Sequence, residues 1–220
     1  MQWLSGVQFV SDPPGKNEAS GMWGGGVTTT RLIELVKSAK ESVVIQTPYL
    51  VISDLGLSLF AEAEARGVEV IIMTNSLAST DNLMAFNGYL RNRDDLLRAG
   101  VDIYEFRPDA AVRRKIMTSA RTRETGYFPI FGLHAKTLIV DGETLVVATF
   151  NVDPRSANLN TECYVAMQSK AMAERVLGYI KEEMKPENTW RTTLDWNPNS
   201  EVGLGKRFML IWHSVLPKSV

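Results

Sequence analysis

The stretch LHAKTLIVDGETLVVATFN, residues 133–151, combines two apolar runs with a few polar side chains at regular spacing. The apolar runs are rich in β-branched residues, and the Asp141-Gly142 pair between them is typical of a hairpin turn. The stretch therefore predicts two antiparallel strands. His134 and Lys136 lie two residues apart on the first strand, so alternation places both side chains on one face.

The length of the turn decides which residues of the second strand lie opposite His134. A two-residue turn pairs His134 with Thr149 if it begins at position 141, and with Asn151 if it begins at position 142. Both alternatives put Lys136 on the same face as these polar partners. A three-residue turn would separate them, because a shift of one residue moves a side chain to the other face.

These four side chains predict an anion site. Lys136 offers a compact positive charge to a phosphoryl oxygen. Thr149 and Asn151 add neutral hydrogen-bond donors. His134 can act as a nucleophile or as a proton donor.

Composition excludes several other classes of protein. The chain has 220 residues, 45% of them hydrophobic, and a formal net charge of −1. This length is within the range of one domain or of one large half of a bilobal protein, and the near-neutral charge gives no bias toward nucleic acid. The single cysteine, Cys163, excludes an internal disulfide framework. We expect neither a transmembrane helix nor a signal peptide.

Before residue 107, apolar runs alternate with helical patterns, which predicts βαβ units and a mainly parallel sheet covered on both faces. Tyr49 and Asn75 each follow an apolar run. Because ligands of such sheets bind beyond the carboxyl ends of the strands, both are candidate substrate-binding residues.

The opening stretch resembles the HKD motif of the phospholipase D superfamily. The matching positions, in order, are His134, Lys136, Asp141, Ala148-Thr149 and Asn151. The superfamily usually has Gly-Ser at the fourth position. Thr149 retains the hydroxyl group, whereas Ala148 in place of glycine implies a slightly altered backbone or reduced activity.

Further segments resemble the bacterial cardiolipin synthase branch: SDPPGK at 11–16, TPYL at 47–50, TNSLASTD at 74–81, residues 88–106, and FNVDPRSANLNTE at 150–162. The resemblance implies an α/β fold, an α-β-α sandwich whose mixed, mostly parallel sheet is flanked by helices. It covers residues 7–184 as the catalytic core and leaves 185–220 as a tail. Because members usually carry two motifs and this chain carries one, the layout resembles the C-terminal half.

The resemblance also implies a mechanism without metal or cofactor. One motif histidine forms a phosphohistidine, and the other, here His134, protonates the departing alcohol. Lys136 and Asn151 would hold phosphoryl oxygens. Glu162 would accept a hydrogen bond from the His134 ring and orient it, and Asp141, at the turn, would be structural.

The implied activity is phosphatidyl transfer, with cardiolipin made from phosphatidylglycerol. The implied partners are the phospholipid substrate, the N-terminal HKD half and the membrane surface on the cytoplasmic side of a bacterial inner membrane. The isolated chain is expected to be inactive. Two alternatives remain open: a single-motif phosphodiesterase or nuclease that builds its site in a homodimer, and a non-catalytic lipid-binding half.

Two basic or amphipathic segments allow two interpretations each. Residues 107–132 are rich in arginine and form either a solvated face or an anion-binding rim. Residues 206–217 form either a core helix or an interfacial helix.

Overall fold

The computed structural model describes residues 6–16, 25–117, 125–126 and 129–215, with side chains of the last helix described up to Leu210. Within these ranges the strands are β1 Val7–Ser11, β2 Ser42–Gln46, β3 Glu69–Asn75, β4 Asp102–Phe106, β5 Thr137–Val140, β6 Thr144–Ala148, β7 Cys163–Gln168 and β8 Thr189–Thr192. The helices are α1 Val27–Ser38, α2 Asp54–Ala65, α3 Leu83–Arg98, α4 Arg113–Ile116, α5 Pro154–Asn158, α6 Lys170–Glu183 and α7 Leu204–Val215, with a 3₁₀ turn at Pro198–Glu201.

The eight described strands form one mixed sheet in the order β1-β7-β6-β5-β2-β3-β4-β8. The α/β prediction is confirmed. The prediction of a mostly parallel sheet is wrong, because only β2–β3 and β3–β4 pair in parallel and the other described pairs are antiparallel. The βαβ units supply the parallel part. The hairpin β5–β6 and the strands beside it add antiparallel neighbours.

Capping residues set the ends of the helices in the βαβ units. Ser53 accepts a hydrogen bond from Gly56 at the start of α2, and the Asn82 side chain accepts from two backbone amides at the start of α3. After these helices the chain passes through Gly67 and Gly100, whose φ angles of 83° and 102° favour glycine. Each helix therefore stops where the chain must return to the sheet.

Apolar side chains cover both faces of the sheet. On one face, Val43, Ile45 and Ile72 belong to a core that includes residues of α1, α2 and α3. On the other face, Val44 and Ile139 belong to a core that includes residues of α6. These two layers make the sheet a rigid platform for the side chains at the ends of its strands.

The hairpin contains a three-residue turn. Val140 pairs with Thr144, so residues 141–143 form the turn, and Lys136 lies opposite Ala148. Both two-residue turns predicted from the sequence are wrong. Alternation therefore does not place Lys136 and Thr149 on one sheet face. Any approach between them must occur where the strands end.

Asp141 explains this turn. Its backbone has a φ of 54°, and its carboxylate accepts hydrogen bonds from the backbone N–H groups of Lys40, Glu41 and Ser42, at 2.8–3.1 Å. Burial acts to raise the pKa of Asp141, but these bonds outweigh it and the pKa is lowered. The motif aspartate thus ties the turn to the start of β2.

The segment after residue 184 belongs partly to the core, which corrects the predicted boundary. Strand β8 pairs with β4, and Leu210 of α7 is buried against the first core. The reason is that β4 would otherwise be an open edge. The other side of α7 exposes Leu204, Phe208 and Met209. Among the described helices, none is long and apolar enough to cross a membrane.

A second polar network lies at the far edge of the sheet. Glu105 is fully buried and accepts hydrogen bonds from Tyr89 Oη and Thr192 Oγ1, each at 2.9 Å. Arg93 lies 3.6 Å from the same carboxylate. Burial raises the pKa of Glu105 despite these partners. The network joins α3, β4 and β8.

We predict that Asp141→Asn lowers the free energy of unfolding by about 1–3 kcal/mol at pH 7, because neutral acceptors bind amides more weakly than a carboxylate. The lowered pKa means that the contribution of Asp141 is present above its ordinary pKa of 3.8 and is lost as the pH falls through the folded-state value. Urea unfolding at neutral and acidic pH measures both effects. A difference between the two proteins that grows in acid would contradict this account.

Candidate active site

The site lies at one edge of the sheet, where strands of opposite direction end together. Gln46 pairs with Thr137 and Ala148 pairs with Tyr164, so the carboxyl ends of β2 and β6 meet the amino ends of β5 and β7. The motif residues flank these strand ends. The convergence therefore comes from strand ends and not from one sheet face.

Lys136 is the positive group of the site. Its Nζ donates one hydrogen bond to the His134 carbonyl oxygen, at 3.1 Å, and has no other partner among the described residues. Burial lowers the pKa of Lys136, while the charges of Glu162, Asp153 and Asp81 act to raise it. An ammonium group has three N–H bonds. The remaining ones are free to bind an anion.

His134 is exposed, and its ring makes no hydrogen bond in the part of the chain that the structure describes. The hydrogen bond expected between this ring and Glu162 is absent, so that prediction is wrong. The backbone of His134 nevertheless lies beside Lys136, because Nζ folds back onto its carbonyl group. The ring is open to a reactant from outside the sheet.

Glu162 is 5% exposed and faces Thr149. Its carboxylate accepts hydrogen bonds from Thr149 Oγ1 and from Asn160 Nδ2. The strand register explains this: Thr149 N–H donates to the carbonyl oxygen of Cys163, the residue that follows Glu162. The single hydroxyl proton of Thr149 is thereby directed at a carboxylate, which corrects its predicted role as a phosphate donor.

Asn151 has an unsatisfied side chain. Its Oδ1 is buried and accepts no hydrogen bond from any described residue, while its backbone N–H donates to Ser156 Oγ at 3.1 Å. A buried amide oxygen without a partner is costly. Oδ1 can therefore accept a hydrogen bond from a ligand, whereas a phosphoryl oxygen would have to bind at the Nδ2 donor of the same amide.

Asp153 is a member of the site that the sequence reasoning missed. It caps α5 through a 2.7 Å bond from Ser156 N–H, and burial raises its pKa. Its charge also acts on Lys136. The signal was present, because Asp153 precedes Pro154, and Asp before Pro is typical of a helix start.

Tyr49 and Asp81 border the site on the side of the βαβ units. Tyr49 Oη donates to the Asp81 carboxylate, at 3.2 Å, and both line an open pocket of about 390 Å³ with residues 82–84. Burial, followed by the charge of Asp81, raises the pKa of Tyr49. The substrate-binding role of Tyr49 stays a prediction, and Asp81 is an additional polar group beside it.

Asn75 ends β3, but its hydrogen-bond partners do not support the substrate-binding role predicted for it. Its side chain is buried and bonds to both polar backbone groups of Leu133, at 2.8 and 3.0 Å, and also to Pro48 O and Ser79 Oγ. No polar atom of Asn75 is left for substrate. The correction has a physical reason: Asn75 fixes the backbone that leads into His134.

The basic segment is only partly described. Arg107 pairs with Asp109, and its Cζ atom lies 4.8 Å from the centre of the Trp190 ring. Residues 118–124 and 127–128 lie outside the described ranges. Its two interpretations stay open. Within the described ranges, no group of three or more His, Cys, Asp or Glu side chains could hold a metal ion.

A family model described as "Cardiolipin synthase, PLD-like domain" matches residues 32–184. The chain belongs to this family. Cardiolipin synthase C of Escherichia coli (strain K12) is 33% identical over 170 residues, which cover 77% of this chain and 35% of that protein. Major cardiolipin synthase ClsA of Bacillus subtilis (strain 168) is 28% identical over 152 residues, which cover 69% of this chain and 27% of that protein. The chain spans about a third of the length of these curated relatives.

Solved structures share the fold. The phospholipase D family member NUC from Salmonella typhimurium aligns with a TM-score of 0.57 at 19% identity, covering 84% of this chain and 98% of that one. Phosphatidylserine synthase from Haemophilus influenzae Rd KW20 aligns with a TM-score of 0.61 at 12% identity, covering 94% of this chain and 44% of that one. The resemblance to the phospholipase D superfamily is confirmed.

We predict that Asn75→Ala loosens the segment before His134. The Leu133 N–H loses its acceptor, so its amide hydrogen exchange is expected to accelerate by about 10-fold or more. Ser79→Ala is the matched control, because it removes an outer partner of Asn75 and leaves both bonds to Leu133. Equal protection of the Leu133 amide in all three proteins would contradict the role assigned to Asn75.

Proposed function

We propose that this chain is the C-terminal half of a two-motif phosphatidyltransferase that makes cardiolipin from phosphatidylglycerol. The observation that carries the proposal is the partly buried Lys136, which keeps free N–H donors beside His134 in a chain of the cardiolipin synthase family. Burial disfavours this charge unless an anion accompanies it. A phosphodiester headgroup supplies such an anion.

The first chemical step breaks the bond between phosphorus and the departing alcohol. In our proposal the histidine of the N-terminal motif attacks phosphorus, and a nitrogen–phosphorus bond forms. His134 gives its proton to the departing oxygen, so the alcohol leaves neutral. Lys136 and Asn151 hold the phosphoryl oxygens on which negative charge grows.

The second step reverses these roles. His134, now neutral, takes the proton of an incoming alcohol. The oxygen of that alcohol bonds to phosphorus while the nitrogen–phosphorus bond breaks. When the alcohol is the free hydroxyl of a second phosphatidylglycerol, the product is cardiolipin. No net proton is consumed, because His134 recovers the proton that it gave.

The carboxylates favour the charged form of Lys136. The charge of Glu162 supports the ammonium form of Lys136. Its bond to Thr149 fixes the carboxylate in place. Glu162 therefore acts in this mechanism through its charge and not through a bond to the ring.

The substrate suggests where the protein works. A phosphatidyl group is held in a bilayer, so we propose that the complete protein lies peripherally on the cytoplasmic face of a bacterial inner membrane. The exposed Leu204, Phe208 and Met209 of α7, beside the basic Arg207, support contact with lipid. Residues 7–184 with β8 and α7 would form one catalytic half, paired with an N-terminal half.

We predict that inorganic phosphate binds at Lys136 and that EDTA does not prevent it, because the proposed site uses only protein side chains. Lys136→Met should weaken binding by about 10- to 100-fold through loss of charge-assisted hydrogen bonds. NMR titration of the His134 ring measures the affinity. Lys170→Met, on the exposed outer surface of α6, is the control. Equal binding by the Lys136 and Lys170 variants would remove Lys136 from the site.

We predict that His134→Ala in the full-length gene product lowers turnover of phosphatidylglycerol by about 10²- to 10⁴-fold, the contribution of a general acid and base. Lys136→Ala should have an effect of similar size, and Lys170→Ala should have none. The isolated 220-residue chain should be inactive. Turnover by a monomer of the isolated chain would defeat the two-half proposal, and DNA nicking by a dimer would favour the single-motif alternative.

A further inference from the structure

An ion pair is buried beside the proposed site. Asp12 and Lys16 are 3% and 4% exposed, and Lys16 Nζ lies 2.7 Å from Asp12 Oδ2. Both residues belong to the segment SDPPGK, for which the proposed mechanism has no role. Buried charges are expensive unless they are paired and hydrogen-bonded. Their partners therefore indicate what the pair is for.

Asp12 anchors one end of the motif loop, residues 151–162. Its Oδ2 accepts a hydrogen bond from the backbone N–H of Glu162 at 3.1 Å, and Thr28 donates to the same carboxylate through N–H and Oγ1 at 3.0 and 2.7 Å. Burial acts to raise the pKa of Asp12, but the bonds from Lys16, Thr28 and Glu162 outweigh it and the pKa is lowered. Asp12 is therefore a carboxylate when it holds Glu162.

Lys16 anchors the middle of the same loop. Its Nζ donates to the Ser156 carbonyl oxygen at 2.8 Å. Ser156 in turn accepts from the Asn151 N–H through Oγ, at 3.1 Å, and donates its own N–H to Asp153 at 2.7 Å. The ammonium group thus reaches two residues of the site through one serine.

Gly26 lies against the ion pair and leaves room for it because it has no side chain. A Cβ atom on Gly26 would lie 2.3 Å from Asp12 Oδ1 and 2.4 Å from Lys16 Cε. Gly26 has a φ of −129°, which any residue can adopt. Glycine is therefore needed here for the close approach of the ion pair and not for its conformational freedom.

We propose that Asp12 and Lys16 are positioning residues, which hold Glu162, Asn151 and Asp153 around Lys136 for the reaction. This inference rests on the proposed function of the site. A buried ion pair can often be replaced by neutral side chains without loss of stability. A neutral pair would nevertheless lose the donor to Ser156 and weaken the acceptor for Glu162, so the loop would shift while the fold survives.

The test uses Asp12→Asn combined with Lys16→Met in the full-length gene product, because the double variant leaves no unpaired buried charge. Thermal unfolding and steady-state kinetics on phosphatidylglycerol are measured together. We expect kcat to fall by about 10- to 100-fold, the effect of misplacing reacting groups, with KM within about twofold of wild type. The unfolding temperature should stay near that of the wild type.

Thr192→Val is the matched control. Thr192 lies on β8, at the opposite edge of the sheet from β1, and the substitution removes its buried hydrogen bond to Glu105 of β4. Its stability should fall while kcat stays unchanged. The proposal is overturned if the double variant keeps the wild-type kcat. It is also overturned if Thr192→Val and the double variant lose the same amount of kcat for the same loss of stability.

Two further measurements keep the test decisive. If the double variant does not fold, Gly26→Ala displaces the pair while keeping both charges, and the same fall in kcat is expected. If the wild type itself does not act on phosphatidylglycerol, the proposed function fails. Affinity for inorganic phosphate then decides the inference: weaker binding by the double variant supports positioning, and unchanged binding overturns it.

Discussion

The antiparallel pairing of β5 with β2 is the constraint on which the site depends. It joins the βαβ units to the hairpin and its neighbouring strands, so that two different parts of the chain end at one edge of the sheet. Asp141 fixes this pairing at one end through the amides of Lys40–Ser42, and Asn75 fixes the backbone at the other end through Leu133. The site lies between groups supplied by the two parts.

Charge and burial act against each other at this edge. Burial lowers the pKa of Lys136, although the charges of three carboxylates act to raise it. Burial also raises the pKa of Asp153. Among the described residues at this edge, the Asp12–Lys16 pair balances its charges internally: Lys16 Nζ donates two short hydrogen bonds, and the Asp12 carboxylate accepts from Lys16, Thr28 and Glu162. The residues around the site are therefore fixed by hydrogen bonds, whereas Lys136 and Asn151 at its centre have unused hydrogen-bonding capacity. Binding of a charged ligand requires such an arrangement.

Local patterns were sufficient for the βαβ units. Apolar runs that alternate with helical patterns are short-range signals, and the structure confirms the βαβ units that they predict before residue 107. The hairpin shows where such signals fail. Asp141-Gly142 favours a two-residue turn locally, but the Asp141 carboxylate bonds to amides about 100 residues away in sequence. Those bonds are compatible with the three-residue turn, and this turn sets the register between β5 and β6.

The sequence by itself determined the family, the alternation of strands and helices before residue 107, and the presence of His134, Lys136 and Asn151 in one motif. Only the tertiary structure decided the partners of Thr149, Asn75 and Glu162, because each bonds across strands or loops whose relative position no local pattern specifies. The same holds for Lys16, which donates to Ser156, and for Asp12, which accepts from Glu162, because these partners are 140 and 150 residues away in sequence. Residue type follows from sequence, but a hydrogen-bond partner depends on register and packing, which form only when distant segments come together.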